Sequence, residues 1–296
     1  MKKNKGAAAS EFRILSRRHI VSTKLKEIFR PILPPDELEL LVGSYDVVGD
    51  IAVVTVPDEL RHREKLISEA ILSSNGRLKV VAKKTGIYGG EFRTVPLQVI
   101  GGEKRTETEV KEFGIRLRVD LSRTYYSVRS GAERKRIASL VAGGEHVLVL
   151  FSGIGPYPLI ISRYSKAERI VGVEKNPVAH RYAQQNLAIN KDVGNIELVC
   201  GDAKEVSGLY CRPFDRVIMP LPRGGERFLA GALDGVRSGG TIHYYQMQSP
   251  DGFQDSIDMV AAAAGRAGRK IICAQAVRCG HCGPKSYRIC VDAKIS

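Results

Sequence analysis

The sequence predicts an α/β protein with a doubly wound, mostly parallel sheet in its C-terminal part and a smaller α+β domain before it. Two observations predict this division. From about residue 130, short continuous apolar segments alternate with helical segments, which is typical of a parallel sheet covered on both faces. Before that residue, β-like runs follow one another with one clear helix among them. We therefore expect three parts, over residues 1–43, 44–123 and 124–296.

The first 123 residues predict a helix within a series of strands. Prolines between Pro31 and Pro35 interrupt a charged, mildly helical start. The segment 44–57 is typical of two strands that turn at Gly49, and Asp58 then suits the N-cap of a helix with an apolar stripe. Further strands are expected over residues 77–84, 91–103 and 115–121.

The remaining residues alternate between strands and helices. The segment "VLVLF" over 147–151 predicts a buried strand, and a second strand is expected over 169–174. Asn176 suits the N-cap of the next helix, where Pro177 fits the first turn. More strands are expected over residues 196–203, 214–222 and 239–245, and an antiparallel pair over 269–277 and 286–292. This alternation predicts a doubly wound sheet.

The chain is strongly basic, with 46 Lys and Arg against 32 Asp and Glu and a net charge of +14. Such a charge indicates a polyanionic partner, and nucleic acid ranks above a membrane because no basic amphipathic helix stands out. A generally basic surface is the alternative. No apolar run reaches the ~18 residues of a membrane span, and no apolar signal segment follows the basic first ten residues. We expect a cytoplasmic protein with no membrane partner, with residues 1–43 a basic arm or remnant domain.

Six cysteines are present, and nothing indicates secretion, so disulfides are not expected. The segment "CGHC" from Cys279 to Cys282, with His281 between them, could supply half of a zinc site. A second ligand pair is missing apart from Cys290, and zinc normally takes four ligands. We therefore predict no metal site.

Four features follow consecutive strands of the predicted parallel sheet, where ligands bind in such folds. Gly153 and Gly155 come after the first strand, Glu174 ends the second, Asp202 follows the third, and the loop 219–222 follows the fourth. Glycines allow the backbone to approach a ligand closely, and a carboxylate at the end of the second strand can accept both ribose hydroxyls. The sequence therefore predicts a nucleoside cofactor, whose adenine edge Asp202 and the backbone of Ala203 can reach.

The loop after the first strand favours a cofactor without phosphates. A dinucleotide-binding loop usually has a third glycine, and Pro158 occupies its position. Pro156 and Pro158 also remove two amide donors that a pyrophosphate would use. These features favour S-adenosylmethionine over NAD.

Seven segments together resemble the archaeal and eukaryotic tRNA (guanine-37 N1)-methyltransferases, and the resemblance covers about residues 44–296. In chain order they are "YDVVGDIAVVTVP", "GGEFRTVPLQVIGGE", "TYYSVRSGAERKRI", "LFSGIGPY", "EKNPVAHRYAQQNLAIN", "DRVIMPLP" and "GGTIHYY". The resemblance implies a class I, Rossmann-like methyltransferase with S-adenosylmethionine as donor and N1 of guanine 37 of tRNA as acceptor. The expected cofactor-binding residues are Phe151, Gly153, Gly155, Pro156, Glu174, Lys175, Asn176, Asp202, Ala203, Pro220 and Leu221.

The resemblance also implies catalytic residues. The family's arginine in "GEFR" matches Arg93, and its glutamate matches Glu133 of "SVRSGAER". Guanine N1 carries a proton at neutral pH, which a carboxylate can remove, and an arginine can stabilise the charge that then develops on O6. Read without the resemblance, Arg93 is a phosphate contact or a solvated strand charge, and Glu133 is a solvated helix residue paired with Arg136 or Arg129.

Three features depart from the family pattern. Val149 stands where the family usually has an aspartate, and Pro220 stands where it often has an asparagine that would help orient the base. If that asparagine orients the base in the family, we expect backbone carbonyls at the catalytic position Pro220, or another side chain, to take over that role. Residues 1–42 are too short for the complete extra N-terminal domain that family members commonly carry.

The substrate is expected to contact basic and aromatic residues near Glu133. Clustered arginines neutralise phosphates, and a tyrosine can stack on a base that has been flipped out of its stack. Tyr125 is a further stacking candidate, and a core position is equally consistent with either tyrosine. The expected substrate-binding residues are Arg129, Arg134, Arg136 and Tyr126.

Two alternatives stay open. The wybutosine-pathway aminocarboxypropyl transferases use the same cofactor, but they typically have Gly-Tyr-Phe after the glycine loop and Gly-Tyr after the fourth strand, where this chain has "GIGPY" and "MPLP". A non-catalytic RNA-binding protein with a degenerate cofactor fold is the other alternative. We expect a monomer that grips the anticodon arm of tRNA with residues 44–123 and methylates it with residues 124–296.

Overall fold

The computed structural model describes residues 25–205 and 213–296. Residues 1–24, most of the predicted N-terminal arm, lie outside the described residues. In the described part of the chain, every helix is too short or too polar to span a membrane.

A four-stranded sheet forms the N-terminal part, in the order β1-β2-β3-β4. The predicted strand pair around Gly49 is confirmed, because β1 and β2 are antiparallel and Asp46 lies opposite Val53. β2 and β3 are parallel and are connected through helix α3, whereas β3 and β4 are antiparallel. The bounds are β1 (Asp46–Val48), β2 (Ile51–Val54), α3 (Glu64–Ser74), β3 (Val80–Lys84) and β4 (Leu97–Gly102).

The prediction that Asp58 caps a helix is wrong. Asp58–Arg63 is a 3-10 helix, which begins with a hydrogen bond from the Leu60 amide to the Pro57 carbonyl, and the α-helix starts only at Glu64. This hydrogen bond joins residues three positions apart and winds the chain tightly directly after Pro57. The Asp58 side chain therefore does not cap the helix.

Two short helices, α1 (Leu25–Phe29) and α2 (Pro35–Leu40), precede the four-stranded sheet. Leu25 and Phe29 are buried in the same apolar cluster as Ile67 of α3 and Val81 of β3. The residues from Leu25 onwards therefore share a core with this sheet.

A hairpin of β5 (Glu107–Glu112) and β6 (Ile115–Asp120) follows the first sheet. Its outer edge is bonded by amide side chains of helix α6 (Pro177–Ile189) and of its C-cap residue Asn190. Asn186 accepts a hydrogen bond from the Arg118 amide at 2.7 Å and donates to the Arg118 carbonyl at 3.1 Å, and Asn190 makes the same pair of bonds with Arg116 at 2.9 and 2.8 Å. The two asparagine side chains thus hydrogen-bond the backbone amides and carbonyls at the edge of β6, as a neighbouring strand would.

A seven-stranded sheet with helices on both faces forms the C-terminal part, and it confirms the predicted doubly wound fold. Its strand order is β12-β13-β11-β10-β7-β8-β9, and β13 is antiparallel to both of its neighbours, as predicted for the last two strands. The strands are β7 (His146–Leu150), β8 (Arg169–Glu174), β9 (Ile196–Cys200), β10 (Phe214–Met219), β11 (Val236–Gln248), β12 (Ile271–Gly283) and β13 (Ser286–Ile295). The remaining helices are α4 (Gly131–Leu140), α5 (Pro156–Tyr164), α7 (Leu229–Gly235) and α8 (Phe253–Arg266).

Strand β7 is the point at which the sheet order reverses. The chain continues outward from β7 to β8 and β9 on one side, and β10 and β11 lie on the other side. Alternate residues of β7 face two separate cores, since Val149 packs in one apolar cluster and Leu148 and Leu150 pack in another. Ligands of doubly wound folds bind in the crevice beyond such a reversal, so the fold places a site directly after Leu150.

We expect Asn186→Ala to destabilise the protein. The Asn186 side chain is completely buried and also donates to the Ile154 carbonyl at 3.0 Å, so its removal leaves buried backbone groups without partners. The expected loss is about 3 kcal/mol, or roughly 6–12 °C in the thermal midpoint. Gln185→Ala, on the exposed face of the same helix, is the matched control in thermal denaturation. Equal midpoints for the two variants would contradict this account of hairpin docking.

Candidate active site

The loop after β7 occupies the crevice at the sheet reversal. Phe151 and Gly153 have φ angles of 54° and 58°, and Gly155, the N-cap of α5, has a φ angle of 86°. A Cβ atom on Gly155 would lie 3.3 Å from the Cβ atom of Ala183, so a side chain there would crowd helix α6. The glycine at 155 therefore allows α5 and α6 to pack closely while the loop turns.

The carboxylate of Glu174, at the end of β8, holds this loop. Its Oε2 accepts a hydrogen bond from the Gly153 amide and its Oε1 accepts one from the Asn176 amide, each at 2.7 Å. Burial raises the pKa of Glu174 above its ordinary value, and the amides of Asn176 and Gly153 offset part of this effect. Each oxygen keeps a further lone pair, so the fixed carboxylate can still accept two hydroxyl donors.

The neighbouring predicted residues surround Glu174. Asn176 caps α6 as predicted, accepting from the Val178 amide at 2.9 Å, and its side chain donates to the Arg123 carbonyl at 3.0 Å. Lys175 bonds Asp202 at 2.8 Å, and this hydrogen bond is the main cause that lowers the pKa of Asp202 below its ordinary value. Ala203, directly after Asp202, is buried.

A cleft opens beside the glycine loop and encloses about 560 Å³ of empty space, part of which is open to solvent. The cleft is lined by Tyr125, Tyr126, Ser127, Ser130, Arg134, Phe151, Ser152, Gly153, Pro156, Tyr157, Pro220, Pro222, Tyr245 and Arg288. Leu221, between two lining prolines, is half-buried, and its amide donates to the Met219 carbonyl at 2.8 Å. Six of the predicted site residues thus line the cleft directly: Tyr126, Arg134, Phe151, Gly153, Pro156 and Pro220.

The residues present fit a nucleoside cofactor. Among the described residues, one buried side-chain oxygen lacks a hydrogen-bond partner, Ser152 Oγ, and Ser152 lines the cleft. The loop offers apolar surface from Phe151 and Pro156, and the Glu174 carboxylate lies directly behind Gly153. Two carboxylate oxygens that can accept hydrogen bonds, beside an apolar loop with few amide donors for a phosphate, suit the ribose and the base of a nucleoside.

Glu133 is buried behind the cleft. Both of its carboxylate oxygens accept hydrogen bonds from Arg136, at 2.8 and 2.7 Å, and its Oε1 also accepts one from the Tyr245 hydroxyl at 2.5 Å. Arg136 in turn bonds Asp292 at 2.6 Å. Read without the resemblance, Glu133 was expected to be a solvated helix residue, and the structure shows that it is buried. Its expected pairing with Arg136 is present.

The arginines near Glu133 differ in their placement. Arg134 is buried and bonds both oxygens of Glu112, which also accepts the Tyr126 hydroxyl at 2.7 Å. Arg136 is held between two carboxylates. Arg129 is about half exposed and pairs with Asp46 of β1. Arg134 therefore lines the cleft, Arg136 lies with Glu133 behind it, and Arg129 is the most exposed arginine of this group.

Three contacts of the loop between β3 and β4 connect the N-terminal sheet with the cleft. The Tyr88 ring packs edge-on against Tyr125, with centroids 5.6 Å apart. The Glu91 carboxylate lies 2.6 Å from Lys175 Nζ. Arg93, whose φ angle is 53°, donates from Nη2 to the Arg223 carbonyl at 3.1 Å, one residue beyond the cleft-lining Pro222. The structure thus brings Arg93 to the rim of the cleft, and Glu133 is buried behind this cleft.

Sequence reasoning missed Tyr157, Tyr245 and Arg288 as cleft residues. Tyr157 follows the glycine loop directly, and Tyr245 ends the segment "GGTIHYY", so the motifs contain a signal for both. Arg288 has no such local signal, because it reaches Ser130 Oγ at 2.8 Å from a strand 158 residues further along the chain.

The sequence offered Cys279, His281 and Cys282 as half of a zinc site, and two of these side chains make other contacts in the structure. Cys279 donates to the Arg288 carbonyl at 3.3 Å, and the His281 ring packs against Tyr287. In the described part of the chain, close potential ligands are grouped at His243, Cys290 and Asp292. Their atoms bond one another, and Arg136 and Arg216 bond the same group, so it is a charge-balanced structural cluster.

Residues 108–272 match the family model described as the TRM5/TYW2 methyltransferase domain, and residues 25–106 match the TYW2 N-terminal domain. The chain belongs to the TRM5/TYW2 methyltransferase family. The match to the N-terminal domain contains the four-stranded sheet, and the match to the methyltransferase domain contains the hairpin from Thr108 onwards and the strands β7 to β11 of the seven-stranded sheet.

Relatives in the TRM5/TYW2 family carry different activities. The tRNA (guanine(37)-N(1))-methyltransferase Trm5b of Pyrococcus abyssi is 34% identical over 265 residues, covering 88% of this chain and 78% of that protein. A tRNA(Phe) (4-demethylwyosine(37)-C(7)) aminocarboxypropyltransferase of Methanocaldococcus jannaschii is 30% identical over 253 residues, covering 85% of this chain and 98% of that protein.

Solved structures of TRM5 proteins have the same fold. A complex of aTrm5 with tRNALeu aligns with a TM-score of 0.80 at 29% identity and covers 98% of this chain and 82% of that chain. Trm5 of Methanocaldococcus jannaschii in complex with adenosine aligns with a TM-score of 0.75 at 29% identity and covers 92% of this chain and 78% of that chain.

We expect S-adenosylmethionine to bind more tightly as the pH rises through the raised pKa of Glu174. Hydroxyl donors bind the ionised carboxylate better than the protonated one, so affinity falls when the pH drops toward the ordinary glutamate value of 4.5. Asp202 stays ionised over this range because Lys175 lowers its pKa. Calorimetry on wild type and on Glu174→Gln tests this expectation. A variant with wild-type affinity, or a wild type without pH dependence above 4.5, would contradict it.

Proposed function

We propose that the protein is an S-adenosylmethionine-dependent tRNA methyltransferase that acts on N1 of guanine 37. The observation that supports this most strongly is that the cleft beside the Glu174-held glycine loop has Glu133 behind it, bonded to the cleft-lining Tyr245, and Arg93 at its rim, bonded to the residue after Pro222. The 34% identity to Trm5b of Pyrococcus abyssi over most of the chain supports the same activity.

The cofactor is held by the loops around the sheet reversal. Glu174 accepts the ribose hydroxyls, Asp202 and the amide of Ala203 face the adenine edge, and Phe151 and Pro156 supply apolar surface. S-adenosylmethionine, when bound, supplies an electrophilic methyl group on a sulfonium. Val149 is completely buried in β7, so no polar group of that residue contacts the donor.

The chain's own residues prepare the guanine. N1 becomes nucleophilic only after it loses its proton, and Glu133 is the proposed final acceptor of that proton. Arg93 at the rim stabilises the negative charge that develops on O6. Pro220 has no side-chain donor, so it contributes its carbonyl and a rigid edge to the base pocket. The exposed ring of Tyr125, packed against Tyr88, is a surface on which the base can stack.

The RNA partner is proposed to be the anticodon arm of tRNA, bound by a monomer in the cytoplasm. The net charge of +14 supports a polyanionic partner, and Arg129 presents a half-exposed guanidinium between β1 and the start of α4. The Arg93 loop connects this surface with the cleft. A phosphate on either side of the target base can therefore be neutralised while the base enters the cleft.

A second candidate function is aminocarboxypropyl transfer to a modified guanine at the same position. The chain covers 98% of the Methanocaldococcus jannaschii aminocarboxypropyltransferase, and residues 25–106 match the TYW2 N-terminal domain. The two reactions leave different spent cofactors, because methyl transfer leaves S-adenosylhomocysteine and aminocarboxypropyl transfer leaves methylthioadenosine.

Incubation of the protein with unmodified tRNA transcripts and S-adenosylmethionine tests the main proposal. We expect N1-methylguanosine at position 37 together with S-adenosylhomocysteine, and no product from a transcript with adenosine at that position. Nucleoside and cofactor mass spectrometry provide the readout. Methylthioadenosine, formed only with 4-demethylwyosine-containing tRNA, would favour the second candidate.

We expect Glu133→Gln and Arg93→Ala each to slow single-turnover methylation by about 10²–10⁴-fold with cofactor affinity largely kept. Glutamine keeps hydrogen-bonding capacity next to Arg136 but cannot take the proton. Glu168→Gln, an exposed glutamate before β8, and Arg77→Ala, an exposed arginine before β3, are the matched controls. A wild-type rate in either active-site variant would remove that residue from the mechanism.

A further inference from the structure

A line of hydroxyl groups leads from the cleft to Glu133. Tyr157 and Tyr245 both line the cleft, whereas the Glu133 side chain is 3% exposed and is not among the lining residues. The hydroxyl oxygens of Tyr157 and Tyr245 are 3.1 Å apart, and the Tyr245 oxygen lies 2.5 Å from Glu133 Oε1. A base in the cleft is therefore separated from the carboxylate by these tyrosines.

The direction of the hydrogen bonds follows from the chemistry of the three groups. An ionised carboxylate only accepts, so Tyr245 must donate its one proton to Glu133. The Tyr245 oxygen then accepts from Tyr157, which leaves the lone pairs of the Tyr157 oxygen as the first acceptor of the line. Every proton in the line already points towards Glu133.

Both tyrosines keep their protons at neutral pH. Burial raises the pKa of Tyr157 and of Tyr245 above the ordinary tyrosine value. Such a hydroxyl can accept one proton while it donates its own, so that no free phenolate forms. This behaviour requires an acceptor at the far end.

The environment of Glu133 suits such an acceptor. Arg136 bonds Glu133 and Asp292 at the same time, and Asp292 also bonds the buried ring of His243 at 2.6 Å. If Glu133 takes up a proton, Arg136 is still paired with Asp292. The charge of the arginine therefore stays compensated in both protonation states of Glu133.

We propose that Tyr157 and Tyr245 form a proton relay that carries the N1 proton of the target base to Glu133, with Tyr157 as the catalytic residue that touches the base. This inference rests on the proposed function, because that function supplies the base and its proton. The N1–H bond breaks as a new O–H bond forms on Tyr157. Tyr157 gives its own proton to Tyr245, and Tyr245 gives its proton to Glu133 Oε1. The N1–H electron pair stays on N1 and forms the bond to the methyl carbon, while the S–CH₃ pair stays on sulfur.

Tyr157→Phe gives the sharpest test, because it removes the first hydroxyl while Arg136 and Tyr245 keep their contacts with Glu133. Single-turnover methylation of a guanine-37 transcript is measured from neutral to alkaline pH for Tyr157→Phe, Tyr245→Phe and the double variant. Tyr244→Phe is the matched control, since it removes a neighbouring buried hydroxyl that bonds Met259 instead. Thermal midpoints, and calorimetry with S-adenosylmethionine in the absence of RNA, accompany the rates.

A relay predicts a loss of about 10²-fold at neutral pH in each single variant, and no further loss in the double variant because both residues serve one path. It also predicts that the deficit shrinks as the pH rises, because hydroxide then removes the N1 proton directly. Cofactor affinity and the Tyr244→Phe rate should stay within about threefold of wild type.

Two results would overturn the relay. One is a Tyr157→Phe rate within about threefold of wild type at neutral pH. The other is a deficit that is equal at every pH or that accompanies weaker cofactor binding, which would make the hydroxyls structural. An inactive wild type with full cofactor binding would instead refute the proposed function.

Discussion

The two hydrogen bonds that Glu174 accepts from the Gly153 and Asn176 amides are the interaction on which the site depends. They tie the end of β8 to the loop after β7, at the reversal of the sheet, and they fix the carboxylate beside the cleft. The same carboxylate is buried enough for its pKa to rise. Ionising this buried carboxylate costs free energy, and hydrogen bonds from the hydroxyl groups of a ligand would offset that cost.

Charge organises the cleft on two scales. Inside, the carboxylates of Glu112, Glu133 and Asp292 are each paired with Arg134 or Arg136. Outside, the excess positive charge of the chain remains for a polyanion. Breaking one internal pair would leave a buried charge uncompensated, which is more costly than losing a surface pair. We therefore infer that RNA binding uses the exposed arginines and leaves these internal pairs intact.

The sequence predicts the parts of the site that depend on local order, and misses those that depend on distant partners. The doubly wound sheet, the Asn176 cap and the cluster of Gly153, Glu174 and Asp202 follow from strands and the loops directly after them. The pairing of Arg136 with Asp292 joins residues 156 positions apart, and the Tyr157–Tyr245 contact spans 88 residues. Strand β5 escaped prediction because its sequence "ETEVKE" is mostly charged, and the α6 asparagines hold its hairpin.

A crystal structure of this chain with S-adenosylhomocysteine and an anticodon stem–loop tests the central claim most directly. The account predicts that the ribose hydroxyls lie against Glu174 and that the flipped guanine lies between the Arg93 loop and the two cleft tyrosines, with N1 towards the Tyr157 hydroxyl. A ligand outside the cleft, or a guanine whose N1 contacts Glu133 directly after Tyr245 has moved aside, would contradict it.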